Sequence, residues 1–69
     1  MVNKVKEFRT RAGLTQKELA DRVNVSSRTI ISLENERYNP SLHLAYKLAR
    51  VFDKTIEEVF IFSEKDLLE

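Results

Sequence analysis

Arg28 stands between Ser27 and Thr29, and Ser32 follows about one helical turn later. If Ser27 to Asn35 is a helix, Ile30 and Leu33 recur at the spacing of a buried face. Ser27, Arg28, Thr29 and Ser32 then lie on the polar side. An arginine there can pair its planar guanidinium with O6 and N7 of a guanine. Serine and threonine hydroxyls can bond either base edges or phosphates. Each residue also has a plainer reading, as a cap for Ser27 and as a solvated charge for Arg28. Base readout is the better reading for Arg28, the two readings of Ser27 and Ser32 stay open, and Thr29 reads as a phosphate contact. Ile31 could touch a thymine methyl, but covering the edge of the core is the simpler role. Gln16 opens another helical stretch. Its amide, beside backbone N–H groups that have no intrahelical acceptor, has the chemistry to hold a phosphate. In the segment that follows the first of these helices, Arg37 and Asn39 are further phosphate donors.

These side chains need two helices to position them. From Gln16 onward, Leu19, Ala20 and Val23 share one helical face, and the pattern breaks at Asn24-Val25-Ser26 before it resumes at Ile30. Helices this short are unstable alone and must pack on each other. A connection of about three residues sets them at a steep angle, which is a helix-turn-helix. Ala20 is small enough to let the second helix cross closely. Asn24 suits a turn position with positive φ. Val25 plugs the turn into the core, and Ser26 is a good N-cap.

The rest of the chain frames this pair. Val5, Phe8 and Ala12 mark the buried face of a first helix, from about Asn3 to Ala12, with Asn3 as cap and Gly13 as terminator. Thr15 with Glu18 reads as a capping box, and so does Thr55 with Glu58. Pro40 keeps Asn39 out of the α region, and Ser41 lies near the start of a fourth helix. The buried stripe of that helix is Leu42, Ala45, Leu48, Ala49 and Phe52, and Asp53-Lys54 is a turn. Tyr38 is expected to pack on this helix. A short fifth helix points Ile56, Val59 and Phe60 inward. Phe60-Ile61-Phe62 is too apolar for a free tail and suits a short strand or an interface. The expected fold is all-α, with five short helices packed orthogonally, a helix-turn-helix at the second and third, and a possible short C-terminal strand. The domain spans residues 1–62, and residues 63–69 form a charged tail.

Composition narrows the function classes. A chain of 69 residues makes one domain with a modest core. It has one Gly, one Pro and no Cys, which favours helices and leaves out disulfides and thiolate sites. The only histidine, His43, has no partner for metal binding or acid–base work. No enzyme activity, cofactor, metal, membrane partner or small-molecule ligand is expected, and the location expected is the cytoplasm. The net charge is only +1, but it is unevenly spread: residues 1–50 hold ten Lys or Arg against five Asp or Glu, and residues 51–69 hold two against six. A basic body and an acidic end fit one face turned toward phosphate.

Taken together, these residues resemble the phage-repressor (Cro-like, xenobiotic-response-element) helix-turn-helix family. Gln16, Ala20, Asn24, Ile30 and Leu33 fall on the motif, flanked by Leu14-Thr15-Gln16, Leu33-Glu34-Asn35 and Asn39-Pro40-Ser41-Leu42. The likeness runs from about Val5 to Phe60 and is greatest to small stand-alone dimeric repressors of the cytolysin-repressor kind. It departs at Asn24, where the family has a turn Gly, and at Glu36, where it often has Gly or Asn. The resemblance implies that Ser27, Arg28 and Ser32 face base edges and that Arg9 and Glu34 form a structural ion pair. It implies that Asn39 lies near a partner subunit. It also implies a transcriptional regulator, a repressor that binds double-stranded palindromic DNA as a homodimer. The expected dimer surface is Ile56, Val59, Phe60, Ile61 and Phe62, aided by Leu44 or the Pro40 loop. The alternative is an antitoxin-type interaction module that also regulates its own operon.

Overall fold

Where the second to fifth helices start is decided by a side chain. In the computed structural model, which describes residues 1–67, Thr15 Oγ1 accepts the N–H of Glu18 at 3.0 Å while Glu18 Oε1 accepts the N–H of Thr15 at 2.8 Å. This capping box opens α2, Gln16–Val23. Thr55 and Glu58 repeat it at 3.2 and 2.8 Å and open α5, Ile56–Val59. Ser26 Oγ accepts from Thr29 N at 3.2 Å to cap α3, Ser27–Glu34. Ser41 Oγ accepts from Leu44 N at 3.1 Å to cap α4, Leu42–Val51.

Where α1 to α4 stop is decided by the backbone, in the same way each time. Helix α1 spans Val5–Arg11. Gly13, Asn24, Glu36 and Asp53 follow the four helices with φ of 73°, 61°, 60° and 56°, all left-handed. The N–H of the next residue reaches back five positions: Leu14 to Arg9, Val25 to Ala20, Arg37 to Ser32 and Lys54 to Ala49, at 2.9–3.1 Å. Each left-handed residue itself donates three positions back. These are Schellman endings, which satisfy carbonyls that the helix leaves unpaired. Leu14 and Val25, the residues just past the first two endings, pack against the core.

Among the described residues twelve side chains form that core, including Val5, Leu19, Ala20, Val23, Ile30, Leu33, Leu48 and Phe60. The closest pairing of elements is α2 with α3, across the buried Ala20. A two-residue strand, β1 (Val2–Asn3), pairs antiparallel with β2 (Phe60–Ile61) in the register Val2↔Ile61 and Asn3↔Phe60. Asn3 Nδ2 donates to Leu33 O at 2.8 Å and Asn3 Oδ1 accepts from Val5 N at 3.1 Å, so one side chain joins the strand, α1 and α3.

The architecture is the expected small helical fold with a helix-turn-helix, with details that sequence reading did not supply. There are six helices among the described residues, because Glu64–Leu67 adds a single turn, α6, to the charged tail. The tail expected over 63–69 also includes Leu68 and Glu69, which lie outside the described residues. The first helix is shorter than expected, since Asn3 joins a strand and Ala12 ends exposed beyond the helix. Leu42 is 78% exposed, not part of the buried stripe. It is the first residue after the Ser41 cap, so it projects past the end of the core, and Leu44 takes the buried place. Tyr38 is exposed. Val59 and Phe60 are buried within their own chain, with Phe60 paired to Asn3 in the sheet and Val59 O accepting from Lys4 N at 2.8 Å.

Two predictions concern these helix ends. Glu36→Gly removes a side chain from a left-handed position and should stabilise the fold by about 0.4–1 kcal/mol, seen as a higher denaturation midpoint. Asn24→Gly should give less, since Asn tolerates this conformation. An unchanged or lower midpoint for Glu36→Gly would show that the side chain makes up for the strain. Second, the Glu18 and Glu58 carboxyls lie below the usual glutamate range because each accepts a backbone N–H of its cap threonine, and the threonine hydroxyl adds to the effect. A lowered folded-state pKa stabilises above the unfolded value and loses that contribution as pH falls through the folded value. Melting temperature should therefore fall on acidification through and below the glutamate range, and Glu18→Gln should flatten that dependence.

Candidate nucleic-acid interface

Helix α3 is held by one face and presents the other. Ile30 and Leu33 are fully buried and anchor it on α2. Arg28 and Ile31 are exposed, and Ser27, Thr29 and Ser32 are half-buried along the flank. Among the described residues, the side chains of Ser27, Arg28 and Ser32 make no hydrogen bond or ion pair. Thr29 differs, because its hydroxyl lies 3.1 Å from Ser26 Oγ and shares in the cap. Ile31, expected at the core edge, is 41% exposed on the same surface as Arg28.

The Gln16 end of α2 lies against the other end of α3. Gln16 Nε2 donates to Glu34 Oε1 at 3.1 Å. Glu34 Oε2 also accepts from Arg9 Nε at 2.6 Å, and its Oε1 from Arg9 Nη2 at 3.3 Å. Arg9 Nη1 donates to Leu14 O at 2.8 Å, in the turn that leads into α2. The pair expected between Arg9 and Glu34 is thus a fork on a carboxylate, with side chains only 11% and 3% exposed. Because α3 has eight residues, its two ends lie about 10 Å apart at 1.5 Å per residue. Arg28 sits at the first end. Gln16, with the free N–H groups that begin α2, sits at the second, from which Arg37 and Asn39 continue in an exposed loop.

The expected dimer residues divide. Ile61 and Phe62 are exposed, and Ile56 is half-buried. Sequence reading missed a groove of about 230 Å³ lined by Met1, Pro40, Leu42, Ala45, Ile56, Phe60 and Phe62, where Phe60 is only the floor. The one available signal was Leu42, an apolar residue directly after a cap. A second cleft, of about 300 Å³, lies beside Phe8 and Phe52, whose ring centroids are 5.7 Å apart. The Lys54 ammonium and the Arg11 guanidinium lie 5.5 and 6.0 Å from the Phe8 ring centre. Among the described residues no helix is long and apolar enough to cross a membrane.

A helix-turn-helix family model matches residues 5–59. An HTH-type transcriptional regulator of Archaeoglobus fulgidus is 55% identical over 69 residues, covering 100% of this chain and 97% of that protein. Among solved structures, the restriction-modification controller protein C.AhdI from Aeromonas hydrophila aligns with a TM-score of 0.75 and 32% identity over 83% of this chain and 86% of that one. The N-terminal DNA binding domain of SinR from Bacillus subtilis aligns with a TM-score of 0.72 and 27% identity, over 78% of this chain and 80% of that one. The chain therefore belongs to the phage-repressor-like helix-turn-helix family of DNA-binding transcriptional regulators.

Proposed function

We propose that this regulator is a cytoplasmic repressor that binds a palindromic DNA operator as a homodimer. The observation that carries the reading is the polar start of α3, where Arg28 stands exposed and unpaired among the described residues beside Ser27 and Ser32. Arg28 reads a guanine, and Ser27 and Ser32 add base contacts. Gln16, Thr29, Arg37 and Asn39 hold phosphates, Thr29 less freely because its hydroxyl is shared with Ser26. One such helix touches only a few base pairs. Useful specificity therefore needs two copies, with half-site centres about 34 Å apart, one turn of the duplex.

The groove at Pro40 and Leu42 supports a second copy as partner. Leu42, Ile61 and Phe62 are all exposed apolar side chains on or beside it. A two-fold contact would let each copy's Leu42 or Phe62 fill the other's groove, because a two-fold interface uses the same patch twice. Leu42→Asp and Phe62→Asp should each give a folded monomer that binds operator weakly. Sedimentation of the wild type as a monomer at micromolar concentration, with and without DNA, would contradict the dimer.

Readout is tested by binding to operator and scrambled duplexes across a salt series. Arg28→Ala should cost roughly 1–3 kcal/mol on the operator and relax one symmetric base position. Arg37→Ala should weaken both duplexes about equally and reduce the salt slope by about one. An equal loss on both duplexes for Arg28→Ala would make it a phosphate contact, and base readout would then fall to Ser27, Ser32 or DNA shape.

A further inference from the structure

We infer that Glu34 and Arg9 form the positioning device of the DNA-phosphate contact at Gln16, with Glu34 fixing which group of the Gln16 amide faces outward. The inference rests on the proposal that Gln16 meets a phosphate. An ionised carboxylate only accepts hydrogen bonds, so the Gln16 atom 3.1 Å from Glu34 Oε1 must be the nitrogen. One of its two N–H bonds is spent there, and the other diverges from it in the amide plane. A free glutamine amide could present its oxygen or its nitrogen to an anion, and the oxygen would be repelled. Glu34 removes that choice and orders the donor before DNA arrives, so less side-chain freedom is lost on binding.

A bare carboxylate this close to a phosphate would oppose binding. Arg9 removes that objection by engaging both Glu34 oxygens, at 2.6 and 3.3 Å. Its remaining nitrogen holds Leu14 O at 2.8 Å, which steadies the turn before Thr15 and with it the free N–H groups that start α2. The three side chains come from α1, α2 and α3, so the amide is referenced to the whole scaffold.

The test separates positioning from mere support. Replacing both charges together, Arg9→Met with Glu34→Leu, avoids a lone buried charge and often leaves a fold intact. In the wild type, Gln16→Ala should weaken operator binding roughly tenfold per half-site, the scale of a hydrogen bond to a charged group. In the Arg9→Met/Glu34→Leu background the same change should cost much less, because the amide is no longer held. An equal loss in both backgrounds would overturn the positioning role and leave the phosphate contact standing. No loss in the wild type would overturn both. Should the double replacement not fold, the ¹H–¹⁵N spectrum of the free wild type decides. One Gln16 side-chain amide proton should be shifted downfield and exchange slowly, whereas a pair of protons like those of solvated glutamines would overturn the inference.

Discussion

The helices of this domain are too short to persist alone, so the structure depends on turning the chain sharply at fixed places. Four times the chain does this by putting one residue in the left-handed region and donating the next N–H five positions back. Only Gly13 is a glycine, and Asn24, Glu36 and Asp53 hold the same conformation with side chains. A side chain there costs up to roughly 1–2 kcal/mol, least at Asn24 and nothing at Gly13, and the offset comes from packing just beyond the turn. Leu14 and Val25 supply that packing at the first two turns. The turn at Asn24 and the buried Ala20 decide the angle at which α3 leaves the body, and so which of its side chains reach outward.

The second constraint is electrostatic. The core contains no buried polar side chain among the described residues, and the Arg9–Glu34 pair lies at its rim. A pair this enclosed adds little to stability compared with a well-packed apolar pair, yet losing one partner would leave a costly uncompensated charge. Its value is geometric, since it sets the spacing of α1, α2 and α3 around the end of the helix-turn-helix. Arg28, Ser27 and Ser32 lie outside this network, and Gln16 lies at its edge.

The features most legible in the sequence are those decided within four residues. Both capping boxes, the Ser26 cap and the left-handed Asn24 follow from local chemistry, and so does the alternation of Ile30 and Leu33 with Arg28 and Ser32. Asp53-Lys54 reads as a turn, but the left-handed conformation of Asp53 does not follow from it, because Asp is common in many kinds of turn. The β1–β2 pairing was hidden because it joins the two ends of the domain through strands of two residues, too short to show a pattern. Without that pairing, Phe60-Ile61-Phe62 reads as one apolar run. With it, Phe60 turns inward while Ile61 and Phe62 stay out. The bond from Gln16 to Glu34 spans 18 residues, and no periodicity announces it.

In the proposed function α3 reads bases and two copies read them symmetrically. Selection of bound duplexes from a random-sequence pool tests both parts at once. The expected result is an enriched palindrome whose half-sites have centres one helical turn apart, about 10 base pairs, with a guanine at one symmetric position that the Arg28→Ala protein no longer selects. Enrichment of a single asymmetric site would contradict the symmetric reading. Retention by the Arg28→Ala protein of the wild-type base preference at every position would contradict the assignment of Arg28.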